Sequence, residues 1–152
     1  MTCCRKAVIM KPRYIRSMRE LRVQADTENL PEVLGFVDGV LEELDCPMKV
    51  QLQIDVAVEE LFVNISRYAY AGGQGDAVIG IEVPDDHSGV SVTFKDNGIP
   101  FDPVSHTDPD ISLSADEREI GGLGILMVRK SMNSMEYEYT DGTNILTITK
   151  LF

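Results

Sequence analysis

The sequence has few of the residues that build disulfide scaffolds and metal centres. It contains three cysteines and two histidines among 152 residues. Cys3 and Cys4 are adjacent and Cys46 stands alone, so no pair has the spacing of a zinc site. This cysteine pattern is typical of a reducing compartment, and we expect a cytoplasmic protein. His87 and His106 fall in predicted loops without a second ligand nearby, so we interpret both as surface residues.

Long apolar runs are also absent. No stretch of about 18 apolar residues occurs, so we expect no membrane span, and the first residues lack the apolar segment of a signal peptide. The chain is nevertheless 43% hydrophobic. Apolar residues recur with clear periodicity, which is typical of a globular chain long enough to form one domain around its own core.

Basic residues are scarce and unevenly distributed. Fourteen lysines and arginines stand against 25 acidic residues, and seven of the fourteen lie within residues 1–22. We expect the acidic remainder to repel nucleic acid, whose binding needs clustered Lys and Arg. We predict that residues 1–18 form a basic N-terminal arm, either solvated and flexible or in contact with a phosphate backbone or an acidic partner. Residues 19–152 would form the domain.

Apolar periodicity predicts an α+β domain. Apolar residues at spacings of three and four indicate amphipathic helices over 28–44 and 48–70, with a shorter helix over 125–132. Alternating segments predict five strands. These strands cover residues 19–25, 77–83, 89–95, 135–140 and 145–151. Because strands follow one another in pairs, we predict a two-layer α/β sandwich whose mixed, mostly antiparallel sheet carries the helices on one face.

The predicted helix over 48–70 contains the first candidate site. Glu60 and Asn64 are four residues apart and therefore share one helix face. We expect the adjoining face to be an apolar stripe formed by Leu52, Val56, Leu61, Ile65 and Tyr68. A carboxylate and a carboxamide beside such a stripe suit Mg²⁺, which prefers oxygen ligands and usually accompanies a substrate phosphate. Considered alone, the pair is more simply explained as solvated.

Two further patterns suit a nucleotide. Asp96 ends a predicted strand, where its carboxylate can accept a hydrogen bond from an exocyclic amine such as adenine N6, and Gly98 leaves room for a flat ligand. Asp-Asn-Gly is also an ordinary turn sequence. Gly121, Gly122 and Gly124 precede a helix, whose N-terminal N–H groups favour an anion, although a hinge or cap explains them equally well. No Walker A lysine follows.

In combination, the segments E-E-L-F-V-N-I-S-R-Y-A-Y, D-N-G-I-P-F-D-P and G-G-L-G-I-L-M-V resemble the motifs of the GHKL, or Bergerat, ATP-binding fold. The resemblance covers about residues 19–152. The residues of the three segments are most similar to those of the small stand-alone branch of anti-sigma factor serine-protein kinases of the RsbW and SpoIIAB type. It implies ATP and Mg²⁺ as cofactors.

The resemblance implies a role for each matching residue. Glu60 would orient or deprotonate the attacking hydroxyl, and Asn64 would ligate Mg²⁺. Asp96 would bind adenine, and Gly98 would give the base room. The other implied nucleotide contacts are Phe101, Gly122, Gly124 and, within an ATP lid over about 102–120, Arg118.

Two of these positions carry open questions. Arg118 is flanked by Glu117 and Glu119, so a solvated lid charge explains it as well as a γ-phosphate contact does. Tyr68 stands where the family usually has His. That position faces inward, so we expect Tyr68 to pack there.

The resemblance implies a regulatory enzyme. It would use Mg-ATP to phosphorylate a serine or threonine on a small STAS-domain anti-anti-sigma protein. It would also sequester a sigma factor and form a homodimer. The alternative is a nucleotide-gated adaptor that binds ATP and a partner protein without phosphoryl transfer. Glu60 distinguishes the two, because a kinase requires it and an adaptor does not.

Overall fold

The computed structural model describes residues 15–105 and 122–152. Its centre is a five-stranded antiparallel sheet with the strand order β1-β2-β3-β5-β4. The strands are β1 Ile15–Gln24, β2 Asp76–Pro84, β3 Gly89–Asp96, β4 Ser134–Thr140 and β5 Thr143–Leu151. The helices are α1 Leu30–Glu43, which follows a 3₁₀ turn at Thr27–Asn29, α2 Met48–Asn64 and α3 Gly122–Ser131. The predicted α+β sandwich is confirmed, and every strand pair in the described sheet is antiparallel.

The two faces of the sheet differ in polarity, as a period-two alternation requires. One face packs its apolar side chains against the three helices, and the largest of them come from the central strands. These are Ile79, Ile81, Val92, Phe94 and Ile148. On the other face, Ser91 Oγ lies 2.9 Å from Thr149 Oγ1 and Thr93 Oγ1 lies 3.0 Å from Thr147 Oγ1. The helices therefore cover one face only, and the site lies at the end of that layer.

Helix α2 buries a different stripe from the predicted one. Its buried residues are Ile54, Ala57, Val58, Leu61 and Phe62. Leu52 is 57% exposed and Val56 is 44% exposed, so the prediction is wrong at both positions. The cause lies in the composition of the helix, which carries apolar residues on more than one side and therefore allows more than one helical phase.

The second helix continues to residue 69, one residue short of the predicted end at residue 70, but its last part is not α-helical. The α-helix ends at Asn64, and the chain continues as a π-helix over Ile65–Ala69. The wider turn rotates the side chains that follow Asn64. Tyr68 is 45% exposed, so it does not pack in the interior as predicted. Segments of this kind occur frequently at functional sites.

The N-terminal boundary lies earlier than predicted. Strand β1 begins at Ile15, so the last residues of the predicted arm belong to the sheet, while residues 1–14 lie outside the described part. Arg19 anchors β1 to the end of α1 through two hydrogen bonds to Glu43, of 2.9 and 2.6 Å. Across residues 15–105 and 122–152, no helix has both the length and the apolar character needed to cross a bilayer.

The interface between α1 and α2 holds a pair of carboxyl groups. Gln51 Nε2 donates to Asp38 Oδ1 over 2.9 Å. Asp55, one turn further along α2, has a buried Oδ1 without a hydrogen-bond partner in the described chain. Burial first, and then the neighbouring Asp38, raise the pKa of Asp55 to about 7. Asp55 therefore keeps its proton up to near neutral pH.

This pair should make the protein less stable as the pH rises from about 4 to about 7. The pKa of Asp55 is higher in the folded chain than in the unfolded chain, so the folded state binds more protons in this range. The resulting stability is fully present below about pH 4 and is lost as the pH passes through the folded pKa. Asp55→Asn keeps a donor toward Asp38 without titrating.

Urea unfolding at several pH values tests this expectation. The unfolding free energy of Asp55→Asn should fall less than that of the wild type between pH 4 and 8, by about 1–2 kcal/mol, because solvent access screens the pair. Asp85→Asn, in the exposed β2–β3 turn, is the matched control and should follow the wild type. Parallel profiles for all three proteins would show that Asp55 is ordinarily ionised.

Candidate functional site

A cavity of about 350 Å³ opens where β3 ends, between the end of α2 and the beginning of α3. Its walls are mostly apolar, and three polar side chains, Asn64, Asp96 and Asn144, reach it. The complete lining consists of Leu61, Asn64, Ile65, Tyr68, Ala69, Asp96, Ile99, Pro100, Phe101, Pro103, Ile125, Asn144 and Leu146. A pocket of this size, with apolar walls and few polar groups, suits a small organic ligand.

Asp96 is the acidic group of the cavity. It is the last residue of β3 and only 7% exposed. Its Oδ1 accepts hydrogen bonds from Gly98 N at 2.9 Å and from Asn144 Nδ2 at 3.0 Å. Oδ2 has no partner among the residues that the structure describes. The carboxylate is therefore held by one oxygen, while the other can accept a hydrogen bond from a ligand.

The loop after β3 lies directly on the π-helix that extends α2. Ile99 N donates to Ala69 O over 2.7 Å. A Cβ added to Gly98 would lie 2.2 Å from the same oxygen. Gly98 is therefore required for this close packing of backbone on backbone, in addition to the room that the sequence predicts it gives a ligand. The contact brings the Asp-x-Gly and Glu-x-x-x-Asn segments together.

Glu60 and Asn64 lie on α2 beside the first turn of α3. Both are half-buried, whereas neighbouring Glu59 is exposed. A Cβ added to Gly124 would lie 2.0 Å from Glu60 Oε2, so the Glu60 carboxylate lies against the backbone of the N-terminal turn. The Asn64 side chain lines the cavity and makes no hydrogen bond to the described residues. The structure thus places a carboxylate, an available carboxamide and a helix N-terminus together.

The remaining predicted residues are only partly described. Phe101 lines the cavity and is half exposed. Gly122 is the first residue of α3. The lid is described as far as Ser105, and Arg129 on α3 fixes its beginning by donating from Nη2 to Pro103 O at 2.8 Å. Arg118 and the rest of the predicted lid lie outside the described residues.

Asn144 is a site residue that the sequence prediction missed. It lies on β5, is 6% exposed and contacts Asp96 directly. The sequence does contain a pattern that could have identified it, because Asn144 precedes Leu146 and Ile148 at the alternating positions of the last strand. A polar residue at an inward position of such a pattern indicates a buried hydrogen-bonded group.

The chain is similar to known proteins along most of its length. Residues 23–150 match the sequence model of the histidine kinase-like ATPase domain family. The serine/threonine-protein kinase BtrW of Bordetella bronchiseptica is 29% identical over 130 residues, which cover 86% of this chain and 89% of that protein. An anti-sigma F factor of Clostridium perfringens is 27% identical over 133 residues, covering 86% and 94%. The serine-protein kinase RsbW of Listeria monocytogenes is 26% identical over 97 residues, or 61% of each chain.

The packing at Gly98 can be tested by substitution. Gly98→Ala should lower the free energy of unfolding by about 2–3 kcal/mol, because the new methyl group meets a backbone oxygen that also accepts the Ile99 hydrogen bond. Gly35→Ala is the control. A Cβ at Gly35, on the exposed side of α1, meets nothing within 4 Å, so alanine should raise stability by about 0.5–1 kcal/mol. Urea unfolding measures both, and similar small effects at the two positions would contradict the close contact.

Proposed function

The chain belongs to the histidine kinase-like ATPase domain family, and we infer from this membership that it is an ATP-dependent protein serine/threonine kinase of the anti-sigma type. The predicted GHKL resemblance is confirmed, because relatives named as a kinase and as anti-sigma factors match along most of this chain. One observation carries the inference for the site. A buried carboxylate, a Glu–Asn helix face and a helix N-terminus converge beside one apolar cavity.

The cavity suits the adenine base. Asp96 Oδ2 is available to accept a hydrogen bond, which matches the donor character of an adenine amine. Ile65, Ile99 and Leu146 supply apolar walls for a flat ring. We therefore assign adenine binding to Asp96, with Phe101 at the edge of the base site and Gly98 fixing the loop that carries Ile99.

The phosphates would extend toward the first turn of α3. Gly122 and Gly124 lie in that turn, and the backbone N–H groups and dipole of a helix N-terminus favour negative charge. Among the described residues, no three Asp, Glu, His or Cys side chains group as a metal site. The donors present therefore fit a magnesium ion that takes its other oxygens from phosphate and water, with Asn64 as the protein ligand. When bound, the ion would neutralise charge on the transferring phosphoryl group.

Glu60 is the candidate base. It lies one helical turn before Asn64, and its carboxylate lies against the N-terminal turn of α3. A carboxylate in this position can orient a hydroxyl and accept its proton as the oxygen attacks the phosphoryl group. Arg118, in the lid, remains a proposed contact of the γ-phosphate.

We propose further that the phosphoacceptor is a serine or threonine on a small STAS-domain antagonist. The protein would also sequester a sigma factor, act as a homodimer and work in the cytoplasm. These proposals rest on the similarity to proteins named as anti-sigma F factor and serine-protein kinase RsbW. An adaptor that binds ATP without transferring phosphate is the alternative.

Asp96→Asn should weaken Mg-ATP binding. The substitution keeps an oxygen for Gly98 N and Asn144 Nδ2 but presents an amide donor to the adenine amine. Loss of a hydrogen bond to a charged group costs about 1.5–3 kcal/mol, or about ten- to a hundredfold in affinity. Calorimetric titration measures the change, with Asp85→Asn as the control and an unfolding curve to verify folding. Wild-type affinity in Asp96→Asn would remove the adenine assignment.

Glu60→Gln should leave ATP affinity nearly unchanged and slow phosphoryl transfer by about a hundredfold or more, the usual contribution of a general base. Single-turnover transfer to STAS-domain proteins of the same organism, assayed one at a time, provides the rate. Glu59→Gln, on the exposed side of α2, should behave as the wild type. Transfer at the wild-type rate by Glu60→Gln would show that Glu60 is not the base. Absence of transfer from the wild type to every candidate, with ATP binding intact, would favour the adaptor.

A further inference from the structure

The side-chain amide of Asn144 is fixed in one orientation by partners on both sides. Nδ2 donates to Asp96 Oδ1 at 3.0 Å and to Ile99 O at 3.1 Å. Oδ1 accepts from Tyr137 OH at 2.6 Å and from Phe101 N at 3.3 Å. Turning the amide by 180° would place its oxygen against a carboxylate and its nitrogen against a backbone N–H. The partners therefore determine the orientation of this amide.

Tyr137 supplies the shorter of the two hydrogen bonds to Asn144 Oδ1. It lies on β4, is half-buried and is not part of the cavity lining. Burial raises the pKa of Tyr137, so its hydroxyl stays protonated and remains a donor at physiological pH. Without it, Oδ1 would keep only the longer contact from Phe101 N. Asn144 would then be held less firmly against Asp96 and against the loop over 98–101.

If the cavity holds a nucleotide base, the position of Asp96 would determine which base it accepts. Gly98 N and Asn144 Nδ2 both bond Oδ1, which leaves Oδ2 to meet the ligand. A fixed carboxylate oxygen attracts the 6-amino group of adenine and repels the 6-oxo group of guanine, because two acceptors would face each other. A carboxylate that can rotate could instead accept from guanine N1–H and its 2-amino group.

We propose that Tyr137 is a positioning residue that acts through Asn144 to hold Asp96 in the geometry that selects adenine over guanine. This inference rests on the proposed function, since it assigns the cavity to a nucleotide base. It adds a residue from a neighbouring strand, outside the cavity, to the determinants of base specificity.

Nucleotide titrations of Tyr137→Phe test the inference. ATP should bind about three- to tenfold more weakly, as loss of one hydrogen bond predicts. GTP should bind no more weakly than it does to the wild type, so the ratio of the two affinities should fall by a similar factor. A merely destabilised protein would lose affinity for both nucleotides alike. Tyr139→Phe is the matched control, since Tyr139 lies on the same strand and its hydroxyl bonds none of the described residues.

NMR spectra of the nucleotide-free protein provide a second measurement that needs no ligand. In Tyr137→Phe, the Asn144 side-chain amide signals should shift and the Phe101 amide should exchange with solvent faster, whereas Tyr139→Phe should change neither. Unchanged spectra, or an unchanged ATP-to-GTP ratio in a wild type that binds ATP, would overturn the positioning role and leave the proposed function standing. A wild type that binds neither nucleotide would overturn the proposed function, and with it the specificity claimed for Tyr137.

Discussion

The hydrogen bond from Ile99 N to Ala69 O joins the end of the sheet to the end of α2, and the geometry of the site depends on it. Asp96 comes from the sheet layer, whereas Glu60 and Asn64 come from the helix layer. The two layers meet at backbone level, because Gly98 has no side chain to hold the loop away from the π-helix. A larger residue there would separate the groups proposed to bind base and phosphate. Gly98 thus determines how closely the Asp-x-Gly segment approaches the Glu-x-x-x-Asn segment.

Burial of Asp96 strengthens its electrostatic interactions, but it also removes the carboxylate from water, which costs free energy. An unpaired carboxylate in an apolar pocket would lose its hydration without compensation, but Asp96 retains two donors on one oxygen. Those donors are themselves fixed, one in a tight turn and one in an amide that is bonded at both ends. In such surroundings electrostatic interactions are stronger than in water, and small displacements have large effects. A site of this kind therefore relies on neighbouring residues that never contact the ligand.

Much of the fold could be predicted from the sequence, because the signals concerned are local. Alternation in β2, β3 and β5 identifies the strands, and the order of the Glu-x-x-x-Asn, Asp-x-Gly and Gly-Gly-x-Gly segments identifies the family. A local sequence pattern does not predict the structure where two arrangements of the side chains fit the pattern equally well. Helix α2 is apolar on more than one side, so the exposure of Leu52 and Val56 depends on what α1 and α3 cover. The π-helix after Asn64 likewise has no periodicity of its own.

The parts of the site that could not be predicted depend on contacts between distant segments. Asn144 reaches Asp96 only after β5 pairs with β3, and Tyr137 reaches Asn144 only after β4 pairs with β5. The proximity of Asp38 to Asp55 requires the packing of α1 on α2. Neither Asp38 nor Asp55 belongs to a motif, and the sequence around each predicts an ordinary solvent-exposed residue of a helix. The spacing of residues along the sequence does not predict which distant residues come into contact in the fold.

The raised pKa of Asp55 has a consequence for the electrical properties of the molecule. The formal charge of −11 assigns a full negative charge to every acidic residue. At slightly acidic pH the folded chain retains a proton on Asp55 that the unfolded chain has released. Folding therefore changes the net charge by about one unit without altering the composition. The native protein should migrate in an electric field as a less acidic molecule than its sequence specifies.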